Sequence, residues 1–370
     1  MITVFGSDLS EREIAAMTAC AQSQWLGFGK QVEEFEKAFS MSRSIPNFAM
    51  VDNGSNALYM AVKLLDLPLG SEIILPSFTW IACANAILLA GCKPVFCDVD
   101  FETMNVRRED IECKISDLTG AIMIVHYAGL PVDIDPILKL GIPIIEDAAH
   151  AVDAHSKGRS CGSIGDIGIF SFDAVKNLTA GEGGGICARS AQLIQRAKKL
   201  RYCGLGKSGF DALLDNKKQL WWEHEITEPF IRMLPTNMAA AIALVQLERI
   251  AELQEKRRKV WAYYDEILSN IPEVTIPAKA SEDSRHGLFT YSIKARDRND
   301  LAKFLIDHSI YTTLRYQPLH LYPVFGQTDI SLPNTERLND QALSIPLHPR
   351  LTESDVSKVS SAILKFYRRS

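Results

Sequence analysis

Between residues 71 and 188 the chain alternates short, continuously apolar runs with helical patterns, and this alternation restricts the fold more than any other feature. "SEIILPSFTW" reads as a strand and turn, "IACANAILLAG" as a helix, "KPVFCDVD" as a strand and "REDIECKIS" as a helix. "GAIMIVHYAG" follows as a strand, "DIDPILKLG" as a helix, "IPIIEDAAHA" as a strand, and "IGDIGIFSF" as another buried strand. The runs "IMIV" and "IPII" do not alternate apolar with polar, as strands covered on one face only would. They predict strands covered on both faces. Strand and helix repeating at this spacing predict an α/β protein with a doubly wound, mainly parallel sheet.

The pattern changes twice outside this block. Before it lies a helical region ending near Phe39. After it, near residue 207, comes the mixed, aromatic segment "KSGFDALLDNKKQLWWEHEITEPFIRMLPT", read as a long surface or active-site loop. Then "NMAAAIALVQLERIAELQEKRRKVWAYYDEILSNI" reads as one long helix, apolar early and amphipathic later. The remainder, with "LFTYSIKA", "RNDLAKFLIDHSI" and "ESDVSKVSSAILKFYR", suggests a small α+β unit. A chain of 370 residues is thus expected to divide into a large α/β domain, residues 1–240, and a second part, 241–370. That second part holds the long linking helix and the small C-terminal domain.

Charge and cysteine usage narrow the setting. A net charge of -5 without a basic run argues against nucleic acid. "MITVFGSDLSEREI" has no basic region followed by an apolar one, and stretches such as "WIACANAILLAG" are too short to span a bilayer. No leader and no membrane segment are expected. The eight cysteines form no CxxC pair, so buried free thiols in a reducing cytoplasm are expected in place of zinc or a disulfide framework.

In a parallel sheet, ligands collect beyond the C-terminal ends of the strands. "IPIIED" ends in Glu146 and Asp147, "IMIVHY" in His126, and "IFSF" leads to Lys176 in "SFDAVKNLTAGEGGGICA". Taken singly, each has a plain alternative. A carboxylate there can cap a turn, and a lysine can reach from a loop to water. Gly54 and Ser55 in "DNGSNALYMAVKLL" open a helix whose N–H groups could hold a phosphate, or simply form an ordinary cap. Taken together they suit pyridoxal phosphate. That cofactor needs a lysine for its aldehyde, a carboxylate for its ring nitrogen, a phosphate cup and a flat side chain against the ring. Lys176, Asp147, Gly54 with Ser55, and Trp80 supply these, and Ser171 adds a hydroxyl five residues before Lys176.

The chain resembles the DegT/DnrJ/EryC1/StrS family of pyridoxal-phosphate sugar aminotransferases, of fold type I, along nearly its whole length. The likeness is carried by "GFGKQVEEFEKAF", "NGSNALYMAV", "PSFTWIACANAILLAGCKPVFCDVD", "HYAGLPVDIDPI", "EDAAHA", "SFDAVKNLTAGEGGGI" and "AAAIALVQLERI". "RYQPLHLYPVF", "LPNTERL" and "LSIPLHPRLTESDV" extend it toward the end. The resemblance implies that Lys176 is the Schiff-base lysine and Asp147 the partner of the ring nitrogen. It puts Trp80 against the ring, Gly54, Ser55 and Ser171 around the phosphate, and His150 near the phenolic oxygen, where many members have Gln. Asn237 is implied as a phosphate contact donated by the second subunit of a homodimer. Three departures stand out. "RMLPTNM" replaces the family's Asn-Tyr-Arg-Met, Arg315 in "LRYQPLH" stands where many members carry His, and His150 replaces Gln.

The activity implied is transfer of an amino group from an amino acid, glutamate in the first instance, to a keto sugar attached to a nucleotide. Arg315, His320 and Trp222 are the candidate substrate contacts, with Trp221 and His224 in the same loop. The same catalytic residues would also serve a cyclitol ketone, a keto-octulosonate or an aminoshikimate-type substrate. A regulatory homologue would be expected to lack Lys176 or Asp147, and a dehydratase of the family to carry His at the lysine. Both residues are present. No metal is expected.

Overall fold

A computed structural model gives the architecture, described here for residues 1–206, 222 and 224–368. Strands β1 (Phe48–Val51), β2 (Glu72–Pro76), β3 (Lys93–Cys97), β4 (Thr119–Val125), β5 (Ile144–Asp147), β8 (Ile167–Ser171) and β9 (Gly184–Ala188) form one seven-stranded sheet. Its order is β1-β9-β8-β5-β4-β2-β3. Five neighbours, from β3 to β8, are parallel, and β9 runs against both β8 and β1. The C-terminal ends of β1, β2, β4, β5 and β8 therefore share one edge of the sheet. The short β6 (His155–Ser156) and β7 (Arg159–Ser160) lie in a separate ribbon. This is the expected α/β fold, with one antiparallel strand inserted.

Both faces of the sheet are buried, as the apolar runs require. Ile74, Ile122, Ile124 and Ile144 point into one core, with Val99, Ile111 and Ile137. Their neighbours Ile73, Leu75, Met123, Val125 and Ile145 point into the other, against α3 (Gly54–Leu64) and α4 (Ile81–Leu89). The N-terminal region holds two helices, α1 (Glu11–Gln22) and α2 (Lys30–Arg43), and α2 runs past Phe39.

The segment read as one long helix is two. The helix Asn237–Glu248 ends at Arg249, and a second runs Ile250–Leu268. The first packs on α1 and α2 through Ala240, Ala243 and Leu247. The second buries Val260, Trp261, Tyr264 and Leu268 in a different core. At the junction Arg249 is buried and donates to Glu13 Oε1 at 2.7 Å and to the Asp8 carbonyl at 3.1 Å. Burial pushes the Glu13 carboxyl up, but hydrogen bonds from Ser10, Arg249 and Gln246 hold it down at about 2. An ion pair ties the junction of the two helices to the start of the chain.

The remaining chain builds an antiparallel sheet from β10 (Val274–Thr275), β12 (Tyr291–Ala295) and β13 (Ala342–Ile345). A further strand, β11 (Ser284–Arg285), pairs with β6. Helices Arg298–Asp307 and Glu353–Tyr367 cover the antiparallel sheet. The start of the chain joins this second core: Ile2 is buried there and bridges to Ile310. Among the described residues no helix is long and apolar enough to cross a membrane.

Candidate active site

A cleft of about 650 Å³ opens at the C-terminal edge of the main sheet. It is lined by Gly54, Ser55, Trp80, Asp147, His150, Ser171, Lys176 and Arg315, so the fold brings eight sequence-expected residues together. A surface hollow of similar size, about 670 Å³, lies by Arg107 and Lys157. Those cations are already engaged, by Asp110 at 3.0 Å and Asp135 at 2.8 Å.

Strand alternation separates the two carboxylates that end β5. Glu146 points away from the cleft, where it accepts from His126 Nε2 at 2.9 Å and from the Gly162 N–H at 2.9 Å. The Val132 N–H donates to His126 Nδ1 at 3.0 Å, which puts the ring proton on Nε2, toward Glu146. Both His126 and Glu146 are structural. Asp147 faces the cleft, buried, with the Ala149 N–H donating to Oδ1 at 2.9 Å and the Cys83 thiol to Oδ2 at 3.2 Å. Burial first, and the Asp147 charge next, raise the Cys83 thiol well above its ordinary range. It stays protonated and acts as a donor.

Lys176 lies with its ammonium 4.6 Å from the centre of the Phe289 ring. Burial, and after it the Arg315 cation, push the amine down to about 8, while Asp147 and Asp173 oppose the shift. The glycine cluster that follows has a packing purpose. A Cβ on Gly184 would come within 2.3 Å of the Asn53 carbonyl oxygen and 2.7 Å of the Gly54 nitrogen. Only glycine lets β9 lie against the turn that starts α3. A Cβ on Gly54 would in turn meet Ser171 Cβ at 2.9 Å and Oγ at 3.1 Å. The N–H groups of Gly54 and Ser55 have no carbonyl behind them in the helix. Together with the Ser171 hydroxyl they form a small, donor-rich hollow suited to an anion.

Trp80 caps α4 and is 54% exposed at the mouth, so one ring face is available; its centroid lies 5.4 Å from that of Tyr316. His150 stacks on Phe289 with centroids 4.0 Å apart and planes 15° apart. Its Nε2 is 3.1 Å from the Tyr316 hydroxyl, and its Nδ1 is buried without a partner. Burial, then Lys176 and Arg315, lower this imidazole well below its ordinary range, so it is neutral.

The other expected residues lie elsewhere. His320 does not reach the cleft: it is wholly buried, with Nδ1 2.7 Å from Ser77 Oγ, because the turn after "RYQPLH" folds back onto the end of β2. Trp222 is 56% exposed and does not line this chain's cleft, and His224 is also exposed. Trp221 and most of the loop ahead of it fall outside the described residues. Asn237 is buried at the start of its helix, its Nδ2 donating to the Trp25 carbonyl at 3.2 Å and its Oδ1 unpartnered. Conversely, Cys83, Phe289, Tyr316 and Phe5 belong to the site or its wall and were not singled out. For Tyr316 the signal was adjacency to Arg315; the other three carry none.

The profile of the DegT/DnrJ/EryC1/StrS aminotransferase family matches residues 7–364. A Saccharopolyspora spinosa protein described as dTDP-4-dehydro-2,3,6-trideoxy-D-glucose 4-aminotransferase is 33% identical over 374 residues, covering 99% of this chain and 96% of that protein. The spore coat polysaccharide biosynthesis protein SpsC of Bacillus subtilis (strain 168) is 31% identical over 370 residues, 96% and 94% of the two chains. Among solved structures, the aminotransferase TlmJ of Streptoalloteichus hindustanus superposes with a TM-score of 0.94 at 35% identity, covering 100% of this chain and 99% of that one. The chain belongs to the DegT/DnrJ/EryC1/StrS aminotransferase family and is a pyridoxal-phosphate-dependent aminotransferase.

Proposed function

We propose that the protein moves an amino group from an amino acid, with glutamate as donor, to a keto sugar carried on a nucleotide, and that Lys176 performs the proton transfers. The observation that carries this reading is the meeting of the Lys176 amine, the Asp147 carboxylate and the start of α3 in one cleft. The residues fit the cofactor. Lys176 would hold its aldehyde, Asp147 its ring nitrogen, and Trp80 one ring face. The Gly54–Ser55 turn and Ser171 would hold the phosphate, and a Cβ on Gly54 would push the Ser171 hydroxyl, 3.1 Å from it, out of place. His150, whose Nδ1 has no partner, would meet the phenolic oxygen. When bound, pyridoxal phosphate supplies an electrophilic carbon for the amine and a cationic ring that stabilises negative charge on the substrate's α-carbon.

This chain's own residues do the rest. An amine near 8 is neutral in roughly a tenth of the molecules at pH 7, some hundreds of times more than an unperturbed lysine. It can therefore take a proton from the donor's α-carbon and return one from the ammonium form. Asp147, fixed by Cys83 and the Ala149 N–H, would set its carboxylate against the ring nitrogen.

The acceptor assignment is supported by the dTDP-linked keto sugar named for the Saccharopolyspora spinosa relative and the polysaccharide role named for SpsC. A homodimer is part of the reading. Trp25 and Leu26, 64% and 49% exposed, lie beside Asn237 and offer an apolar face for a second copy. All eight cysteines are unpaired, which supports a reducing, cytoplasmic setting. Amine formation from glutamate with dTDP-, UDP- and GDP-linked keto sugars, beside free keto sugars and cyclitol ketones, tests the assignment. Borohydride reduction of the yellow protein should label Lys176, and Lys176→Ala should fold but not turn over. A free ketone used faster than every nucleotide sugar would refute the nucleotide requirement, and a wild-type rate in Lys176→Ala would refute the lysine.

A further inference from the structure

Arg315 is a cation lining the cleft. Among the described residues its side chain makes no ion pair, and its one side-chain hydrogen bond, from Nη1, goes to the Tyr316 hydroxyl at 3.0 Å. It is held by rings instead. The guanidinium carbon lies 3.9 Å from the centre of Phe5, 5.3 Å from Phe289 and 5.5 Å from Tyr316. Phe5 is set by the start of the chain, where Phe5 and Phe289 stack at 5.5 Å and Ser7 Oγ donates to the Ala174 carbonyl at 2.5 Å. Three acids line the cleft: Asp147 accepts from Cys83 and the Ala149 N–H, Asp173 accepts from the Val175 N–H at 2.9 Å, and Glu182 lies beside Asp173 and Asp52. Among the described residues none of the three is ion-paired to Arg315. Arginine has five N–H donors in a planar fork. Here most of the fork is free, and the same Phe289 ring carries the Lys176 ammonium at 4.6 Å.

We propose that Arg315 binds a carboxylate of the amino donor, and that Phe5 is the positioning residue that keeps the guanidinium aimed at it. This rests on the aminotransfer reading above. Two anions could meet a guanidinium in this cleft, the donor's carboxylate and the phosphates of a nucleotide-linked acceptor. Geometry favours the carboxylate. Arg315 and Lys176 share one ring as a neighbour, and an amino acid carries its carboxylates within a few bonds of the carbon at which Lys176 acts. In a nucleotide sugar the diphosphate lies across the sugar ring from the ketone. A bound carboxylate also relieves the repulsion between two adjacent cations.

The test compares wild type, Arg315→Lys and Arg315→Gln, each loaded with cofactor. Titration calorimetry with glutarate, a dicarboxylate with no amine to transfer, measures binding without turnover. The absorbance change on adding glutamate gives the donor half reaction, and the keto sugar is titrated against the amine-loaded protein. Arg315→Gln should weaken glutarate and raise the glutamate KM roughly 10- to 100-fold, the weight of a charge-assisted pair, with the keto-sugar KM unchanged. Arg315→Lys should fall between. Phe5→Ala should raise the glutamate KM without changing the kcat of the donor half reaction, and Phe5→Tyr should restore it. Wild-type glutarate and glutamate affinity in Arg315→Gln, or a loss confined to the keto sugar, would overturn the proposal. A wild-type protein that glutamate and other amino acids leave spectrally unchanged would instead overturn the aminotransfer reading itself.

Discussion

Lys176 and Asp147 carry charges whose worth depends on their neighbours. The Lys176 amine is lowered to about 8 by burial and by the Arg315 cation, so its neutral form appears at a lower pH than in an ordinary lysine. In cofactor-free protein, acylation of Lys176 should therefore be half-maximal near pH 8, followed by peptide mapping across a pH series. Arg315→Gln removes a cation that disfavours the ammonium, so the midpoint should move to higher pH; a midpoint above 10 in wild type would contradict the burial argument. Asp147→Asn keeps an oxygen for the Ala149 N–H and a polar atom facing Cys83, so the fold should persist. Loss of the negative charge should slow the glutamate half reaction by about a hundred-fold or more in single-turnover measurements. An unchanged rate would make Asp147 a turn cap.

The element that most directly shapes the hollow at the start of α3 is β9. "GEGGGI" is legible as a turn into a strand, but periodicity says nothing of why glycine persists inside that strand. The answer is the approach of β9 to the Asn53–Gly54 turn. Gly184→Ala forces Asn53 and the start of α3 to shift, and should cost about 1–3 kcal/mol in denaturant unfolding and weaken cofactor binding. Gly181→Ala is the control. Its φ of +79° makes alanine strained, but nothing lies within 4 Å of the added Cβ, so stability should fall by about 1 kcal/mol with cofactor affinity retained. Equal loss of cofactor affinity in both would argue against the close-approach account. The bend at Arg249 was not legible for a related reason. The helical pattern continues through it, and the partners that hold it, Asp8 and Glu13, come from the start of the chain.

At the scale of the molecule, the exposed Trp25 and Leu26 lie directly over the buried start of the Asn237 helix, which is hydrogen-bonded to their backbone. If two copies meet there, light scattering of dilute protein should give the mass of a dimer. Trp25→Glu should then shift the population toward monomer and lower cofactor occupancy, because Asn237 would no longer be presented to a neighbouring cleft. A monomer with full cofactor occupancy and full activity would overturn the shared-site arrangement.

The sheet and the residues at its C-terminal edge were determined by sequence alone, because both depend on local patterns. Unbroken apolar runs require cover on both faces, and a polar side chain ending such a run lands at the strand terminus whatever else the chain does. Asp147 and Lys176 were read from such strand ends, Gly54 and Ser55 from the opening of a helix, and Ser171 from its place five residues before Lys176. The tertiary structure supplied the reason that Asp147, already assigned from the sequence, belongs to the cleft: Glu146 lies on the opposite face of β5, bonded to His126 and the Gly162 N–H. It also decided that His320 turns inward to Ser77 and that Cys83 donates to Asp147. Phe5 and Phe289 became the supports of Arg315 by the same route. Those contacts join residues far apart in the chain, and a side chain's partner across such a separation is set by how the layers pack, which no local periodicity records.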